Sequence, residues 1–302
     1  MTSTSLFPVD SSRILTGFTT VPSLALPNIA HTPLSDAALG VHRVSPQTTH
    51  AVVASAGRPQ AWEAVFPAGS INPGNKTAPS GGFGFYARGP PEFRAALEVL
   101  EEGQEVVLSY EVLFEDGWEW QKGGKLPGMY GGAGDSAYGC TGGRQTDRCK
   151  CFNLRLMWRE NGAGELYTYL PPVASNTAAL LSVPPRSLQH ADYGFSVGRG
   201  AWVFVPGRWT AVAQRVRMNA RGAEDGEIEV YIDGRSVLRA TGLVIRGSEE
   251  DGARVQGIHL QTFFGGHTPE WAAPKEQRAW FASVSGAVLC AAGGDGVRHD
   301  EL

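Results

Sequence analysis

The sequence predicts an all-β fold, a β-jelly roll or two-sheet antiparallel β-sandwich with a few short helices. Three observations carry that expectation. From residue 105 onward, short apolar or alternating runs recur at near-regular spacing, Asp-Gly, Asn-Gly and Gly-Gly pairs punctuate them, and no βαβ alternation occurs. The 39 glycines and 19 prolines follow no period, which fits many turns rather than a collagen-like or disordered tract. No internal repeat or linker divides the 302 residues, so 1–302 is read as a single domain.

Residues 1–60 are rich in Ser, Thr, Pro and Ala, with short apolar pieces such as HAVVASA, and are expected to wrap the domain as strands and loops. PPEFRAALEVLEEG (90–103) is the good helical candidate, with proline at its start and glycine after its end, and reads as a short surface helix. EVVLSYEVLF (105–114) alternates and then runs apolar, as a strand does. In WEWQKGGKLPGMYGG (118–132) the glycines lose much backbone freedom on ordering. A Leu-Pro-Gly turn that ends a strand and fixes Lys125, with glycines that let a sugar chain approach, would account for that cost. An ordinary β-turn region is the competing reading. FNLRLMWRE (152–160) and GELYTYLPP (164–172) are two strands joined by NGAG, a turn of the Asn-Gly type that favours hairpins. AWVFV, RWTAVAQRVRMN, GEIEVYIDGRSVLRA, QGIHLQTFFGG and RAWFASVSGAVLC continue the series of strands.

Composition excludes several classes. A net charge of −4 offers no general attraction to nucleic acid or to an anionic membrane. No apolar run approaches the roughly 18 residues that would span a bilayer. A monomer without cofactor is expected. The first 35 residues lack a basic start followed by an apolar run, so no signal peptide is read there. The C-terminal His299-Asp300-Glu301-Leu302 matches a retention address for the endoplasmic reticulum, and NKT (75–77) is a glycosylation acceptor if the chain is secreted. The secretory pathway is therefore favoured and the cytoplasm stays open. Of four cysteines, Cys140 with Cys149 or Cys151 would close a short loop as a structural staple. A zinc site needs tight ligand pairs that the Cys-x-Cys lacks, so no metal is expected. Cys290, in SGAVLCAA, reads as a buried free thiol.

Strand alternation puts Asn153, Arg155 and Met157 on one face and Leu154, Leu156 and Trp158 on the other, and the apolar face is expected to pack on the core. In the returning strand Tyr167 and Tyr169 share a face, and pairing across the turn brings them beside Arg155 and Asn153. A later strand, GIHLQTFF, adds His259 and Gln261 in the same manner. Between residues 117 and 160 seven Lys/Arg face four Asp/Glu, a local positive surface on an acidic protein. Such a face suits an anionic sugar polymer, with phenols stacking on pyranose rings and polar groups reading hydroxyls and carboxylates.

If the ligand is a polyuronate, β-elimination must remove the C5 proton beside the carboxylate. That requires the carboxylate charge to be neutralised and the enolate-like anion to be stabilised. An arginine fork matches a carboxylate, an amide adds a hydrogen bond, a lysine or tyrosine of lowered pKa takes the proton, and a tyrosine protonates the leaving oxygen. Lys125, Arg155, Tyr167 and Tyr169 supply this kit without a metal, the division between base and acid being open.

GGKLPGMYGG, CTGGR, CFNLRLMWRENGAGELYTYLPP and IHLQTFFGGHTPEWAAPKEQRAWF together resemble the fungal branch of the polysaccharide lyase family 14 group, over roughly residues 100–290. That group is related to the alginate and glucuronan lyases of molluscs and an algal virus, with a β-jelly-roll fold. The resemblance implies a catalytic lysine at Lys125, with Arg155, Tyr167 and Tyr169 lining the cleft. Tyr130 and Arg144, in the same blocks, join Asn153, His259 and Gln261 as substrate-binding candidates. Relatives usually carry serine where this chain has Asn153, and the CKC at 149–151 is a second departure.

Two rivals remain at this point. A glycoside hydrolase on a sandwich needs two carboxylates on one face, and Glu227, Glu229 and Asp233 in GEIEVYIDG have even spacing, although Asp233-Gly234 looks like a hairpin turn and glutamates on an edge strand are commonly solvated. A lectin would use the same phenols and arginines for binding alone. His267, after Gly-Gly in a loop, is a possible helper.

Overall fold

Runs whose residues alternate between apolar and polar neighbours become strands that bury one side, and here they build two facing sheets. The computed structural model describes residues 3–247 and 252–291. In chain order the strands are β1 (Ile14–Thr19), β2 (Ile29–His31), β3 (Val41–His42), β4 (Val52–Ser55), β5 (Arg58–Phe66), β6 (Phe83–Ala87), β7 (Glu105–Phe114), β8 (Gly124–Gly132) and β9 (Cys151–Trp158). There follow β10 (Gly164–Tyr169), β11 (Leu188–Gln189), β12 (Phe195–Val197), β13 (Thr210–Arg217), β14 (Gly226–Ile232), β15 (Arg235–Leu243), β16 (Arg254–Phe264) and β17 (Gln277–Leu289). Among the described residues three short helices accompany them, α1 (Ser3–Leu6), α2 (Pro91–Glu98) and α3 (Ala174–Leu181).

One sheet runs β15-β14-β13-β7-β17-β1-β2, with β5 also on β17 and β4 on β5; the other runs β11-β12-β10-β9-β8-β16-β6-β3. Pairing is antiparallel except between β1 and β2. The expected jelly-roll sandwich is thus present. Leu154, Leu156 and Trp158 face the core together with Val106, Leu108, Val112 and Phe114 of β7 and Val212 and Val216 of β13. A fully buried side chain of this size contributes about 2–3 kcal/mol. The N-terminal segment lays Leu6, Phe7 and Ile14 on the outward side of the first sheet, over Val107, Ala213 and Leu289. The outward side of the second sheet is left for polar groups.

Four expectations need correction. The helix at 90–103 stops at Glu98, and its Phe93 and Leu97 are buried in the core, so it is more than a surface helix. Beyond Leu97 the acids Glu98, Glu101 and Glu102 oppose the negative end of the helix dipole. AWVFV forms no strand: only Ala163 and Val203 bridge, while Trp202 turns in to fill the space that Gly164 leaves. Cys290 lies just past the end of β17 and is partly exposed. Glu227 and Glu229 are neither on an edge strand nor solvated: β15 covers β14, and both are buried against Arg215. Asp233-Gly234 does turn the hairpin, both residues having positive φ. The cysteine pair is Cys140–Cys151, with Cys149 free and exposed. His299–Leu302 lies outside the described residues.

Candidate active site

The site is assembled across the outward side of the second sheet, beginning at β8. The Leu-Pro-Gly segment is not a strand end. It is a bulge within β8: Lys125 pairs with Met157 and Leu126 with Leu156, but Gly128 then pairs with Arg155. Proline offers no N–H to the ladder. The backbone there is held instead from the opposite sheet, where the Tyr110 hydroxyl donates to the Pro127 carbonyl at 3.1 Å and Gln214 accepts from the Met129 N–H at 2.7 Å. An added residue flips the alternation. Lys125, Gly128 and Tyr130 therefore all point to the side carrying Asn153, Arg155 and Met157. Gly128 is obligatory, since a Cβ would come within 2.1 Å of the Leu154 carbonyl oxygen. The same holds at Gly124, whose missing side chain admits the Trp158 ring. These glycines make room for protein neighbours, not for a sugar as the sequence suggested.

The hairpin register is as expected, with Tyr167 opposite Arg155 and Tyr169 opposite Asn153. Lys125 is half-buried, its Nζ 3.7 Å from the centre of the Tyr167 ring and 2.8 Å from the Met157 sulfur. Burial, then the charges of Arg155 and Arg159, hold its amine well below the ordinary lysine pKa. Burial and the neighbouring Tyr169 push the Tyr167 hydroxyl well above the usual phenol range. A deprotonatable amine thus touches a phenol that keeps its proton.

Arg155 is 2% exposed, and among the described residues no carboxylate lies within 4 Å of it. Its partners are neutral. Nε donates to Asn153 Oδ1 at 2.9 Å, Nη2 to Thr141 Oγ1 at 3.0 Å, and Nη1 to Gln261 Oε1. A guanidinium has five N–H donors, so one remains on each terminal nitrogen. The Asn153 amide then donates to His259 Nδ1 at 3.1 Å, which leaves the His259 proton on Nε2. Burial, then Arg155, drives the His259 pKa well below its usual value, so the ring is neutral. It stacks on Tyr86 at 4.0 Å. Cross-strand neighbours Tyr169, Asn153 and Tyr130, continued by His259, Tyr86 and His42, form a polar and aromatic floor reaching the β3 edge.

Of the candidates, Lys125, Arg155, Tyr167, Tyr169, Asn153, His259 and Gln261 are brought together. Two differ from expectation. Tyr130 has no exposed surface and supports Tyr86 and Tyr138 from beneath, so it offers a ligand no direct contact. Arg144 is exposed on the loop between β8 and β9, with its guanidinium on the Tyr138 carbonyl at 3.3 Å, at the rim rather than beside Arg155. His267 reaches Tyr193 at 3.4 Å and Asn72 at 3.0 Å. Because β12 and β16 are separated by three strands, that contact joins loops from opposite sides above the sheet. Sequence reasoning missed Thr141, Met157, Tyr86 and Tyr193. Thr141 lay in the quoted CTGGR block and Met157 alternates with Arg155, so two of the four had a signal.

A search among curated proteins finds no match. Among solved structures, the chain is similar to a marine family 14 alginate lyase from Aplysia kurodai, at 29% identity and a TM-score of 0.68, over 84% of this chain and 95% of that one. It is also similar in fold to an alginate lyase from a Chlorella virus, at 22% identity and a TM-score of 0.64, over 83% and 93%. The family model of polysaccharide lyase 14 matches residues 54–284, which contain Lys125, Arg155, Tyr167, Tyr169, Asn153, His259 and Gln261. On that match the chain belongs to the polysaccharide lyase 14 family.

Proposed function

We propose that this polysaccharide lyase breaks a uronic-acid polymer by β-elimination in which Arg155 anchors the carboxylate, Lys125 is the base and Tyr167 the acid. The observation that carries the reading is the buried guanidinium without a counter-carboxylate. Such a charge is costly to leave unmatched, and an anionic ligand is what completes it. The two free N–H groups of Arg155 and the Nε2 proton of His259 are donors for that carboxylate and for the enolate-like charge that grows on it. Neutral Lys125 takes the C5 proton, the C5–H electrons become the C4–C5 double bond, and the O4 oxygen leaves with the Tyr167 proton. A second proton exchange with water resets both groups.

Lys125 and Tyr167 touch, so base and acid meet the sugar from one side. That geometry favours a syn elimination, and hence residues whose C5 hydrogen and O4 lie on the same side of the ring. β-D-mannuronate and β-D-glucuronate have that arrangement and α-L-guluronate does not. The similar Aplysia enzyme is an alginate lyase, which agrees with a uronan substrate. The test is a panel of polymannuronate, polyglucuronate and polyguluronate, followed by far-ultraviolet absorbance of the unsaturated end and by product mass. Absorbance should grow with the first two and little with the third. Reducing ends without absorbance would mean hydrolysis, and binding without either product would mean a lectin.

The Cys140–Cys151 bridge and the exposed loop carrying Asn75 support an oxidising, secretory compartment. The Asn75 Oδ1 atom accepts from the Thr77 hydroxyl at 2.9 Å. Loss of mass on enzymatic deglycosylation of the secreted protein is the expected result. We also take the enzyme to act as a monomer, which sedimentation would test.

A further inference from the structure

The cleft floor does not stop at the reacting groups. Beyond His259 and Tyr86 it continues to Tyr138, whose ring meets Tyr86 edge-on at 4.9 Å. Two arginines meet that ring, and the charge of a third, Arg94, acts on the neighbouring His42. The Arg43 guanidinium lies over it at 3.9 Å, and Arg88 Nη2 donates to its hydroxyl at 2.9 Å. The same hydroxyl is 2.9 Å from His42 Nε2, while His42 Nδ1 is 3.0 Å from the Gly40 carbonyl. The bonds are all satisfied if His42 is neutral with its proton on Nδ1. Burial, then the charges of Arg88, Arg43 and Arg94, push its pKa down and favour that form. All three guanidinium groups therefore act on one point at the β3 edge.

Their negative partners are weak. Among the described residues neither Arg88 nor Arg94 has a carboxylate within 4 Å, and Arg43 has only Asp135 at 3.6 Å, whose side chain is 90% exposed. The Arg94 Nε atom is buried without a hydrogen-bond partner. Arg88 and Arg94 line a hollow of about 550 Å³ together with Arg254 and Gln256 and with the acids Glu98 and Asp135. From β9 to β3 are four strand intervals, roughly 19 Å across the sheet, the length of a short oligosaccharide.

We propose that Arg43, Arg88 and Arg94 form a second carboxylate-binding site, which holds a uronate several sugars away from the one bound by Arg155. The inference rests on the reading of the cleft as a uronan site. It assigns the β3 side as the direction in which a long substrate extends, since Arg43 and Arg88 meet the cleft floor there at Tyr138. Longer chains then gain affinity through charge, while the shortest substrates span only the reacting groups.

The experiment compares kcat/KM on oligouronates from trimer to octamer for the wild type, Arg43→Gln and Arg88→Gln. Arg43 is exposed, so its variant is expected to fold, and circular dichroism checks both. The wild type should gain at least about tenfold from trimer to the longer oligomers, and each variant should lose most of that gain. A variant that loses equally at every length, or nothing at any length, overturns the site. Binding of the same oligomers to Lys125→Met, with and without Arg43→Gln, reads the site independently of turnover. If the wild type cleaves no uronan, the elimination reading fails by itself. A length-dependent affinity abolished by Arg43→Gln would still uphold the arginine site, and affinity independent of length would remove it.

Discussion

Arg155 and Arg215 occupy matching situations in the two sheets and have opposite company. Each is buried, 2% and 8% exposed, on the outward side of a central strand. Arg215 meets Glu105 at 2.9 Å and Glu229 at 2.6 Å, and also pairs with Glu227. Burial works against its charge, but these carboxylates outweigh that and raise its pKa. Burial likewise pushes Glu227 and Glu229 up, and their arginine and serine partners bring both below the usual carboxylate range. Arg155 has an amide, a second amide and a hydroxyl instead, and burial lowers its pKa. The first arrangement is complete without a ligand. The second orients a cation and leaves its charge unspent, which is the condition for binding an anion. The same contrast speaks against hydrolysis at Glu227 and Glu229, because both carboxylates are already engaged by Arg215, Arg239 and Ser236.

The sharpest way to break the comparison is to replace each arginine by methionine. Arg155→Met should lower kcat/KM by a factor of about a thousand or more, with the melting temperature nearly kept. Arg215→Met should do the reverse: three buried glutamates lose their shared partner, at a cost of about 3–5 kcal/mol in urea or thermal unfolding, with activity retained by the folded fraction. Equal losses of stability in both variants would erase the distinction.

Lys125→Met comes next. General-base catalysis contributes about a hundred- to ten-thousandfold, and turnover should fall by that order. Stability should rise. The folded-state pKa of Lys125 lies below its unfolded value, so between the two the unfolded chain binds a proton that the native chain does not. Stability therefore increases with pH through that window in the wild type, and the methionine variant should lack this slope. Wild-type kcat should rise with pH as Lys125 deprotonates and level off below the ordinary lysine range. It should show no alkaline fall near the usual phenol pKa, because Tyr167 is raised.

Smaller effects sharpen the picture. Thr141→Val removes one of three acceptors on Arg155 and should cost about tenfold in kcat/KM, a single charged hydrogen bond. Asn153→Ser should cost only a few-fold, since a hydroxyl can accept from Arg155 and donate to His259 as the amide does. Asn153→Leu, which can do neither, should cost far more, and melting curves would show whether folding is the reason.

What was legible in the sequence was local. The Asn-Gly turn and strict alternation gave the pairing of Tyr167 with Arg155 and of Tyr169 with Asn153, because adjacent strands fix register through their turn. The bulge at Pro127 was not legible, since it depends on Tyr110 and Gln214 reaching from the facing sheet. Arg155's link to Thr141 spans a disulfide-closed loop whose partner cysteine the spacing left open. The burial of Glu227 and Glu229 followed from β15 and the N-terminal segment covering that side, a matter of sheet order that alternation does not encode.

The central claim is that Arg155 is held unpaired to take a uronate carboxylate. A crystal structure of Lys125→Met soaked with a tetramannuronate or tetraglucuronate tests it most directly. The account predicts one carboxylate about 3 Å from the two free N–H groups of Arg155, with C5 of that sugar facing residue 125 and O4 facing Tyr167. A bound oligosaccharide whose carboxylates all lie elsewhere, with Arg155 still joined only to Asn153, Gln261 and Thr141, would contradict it.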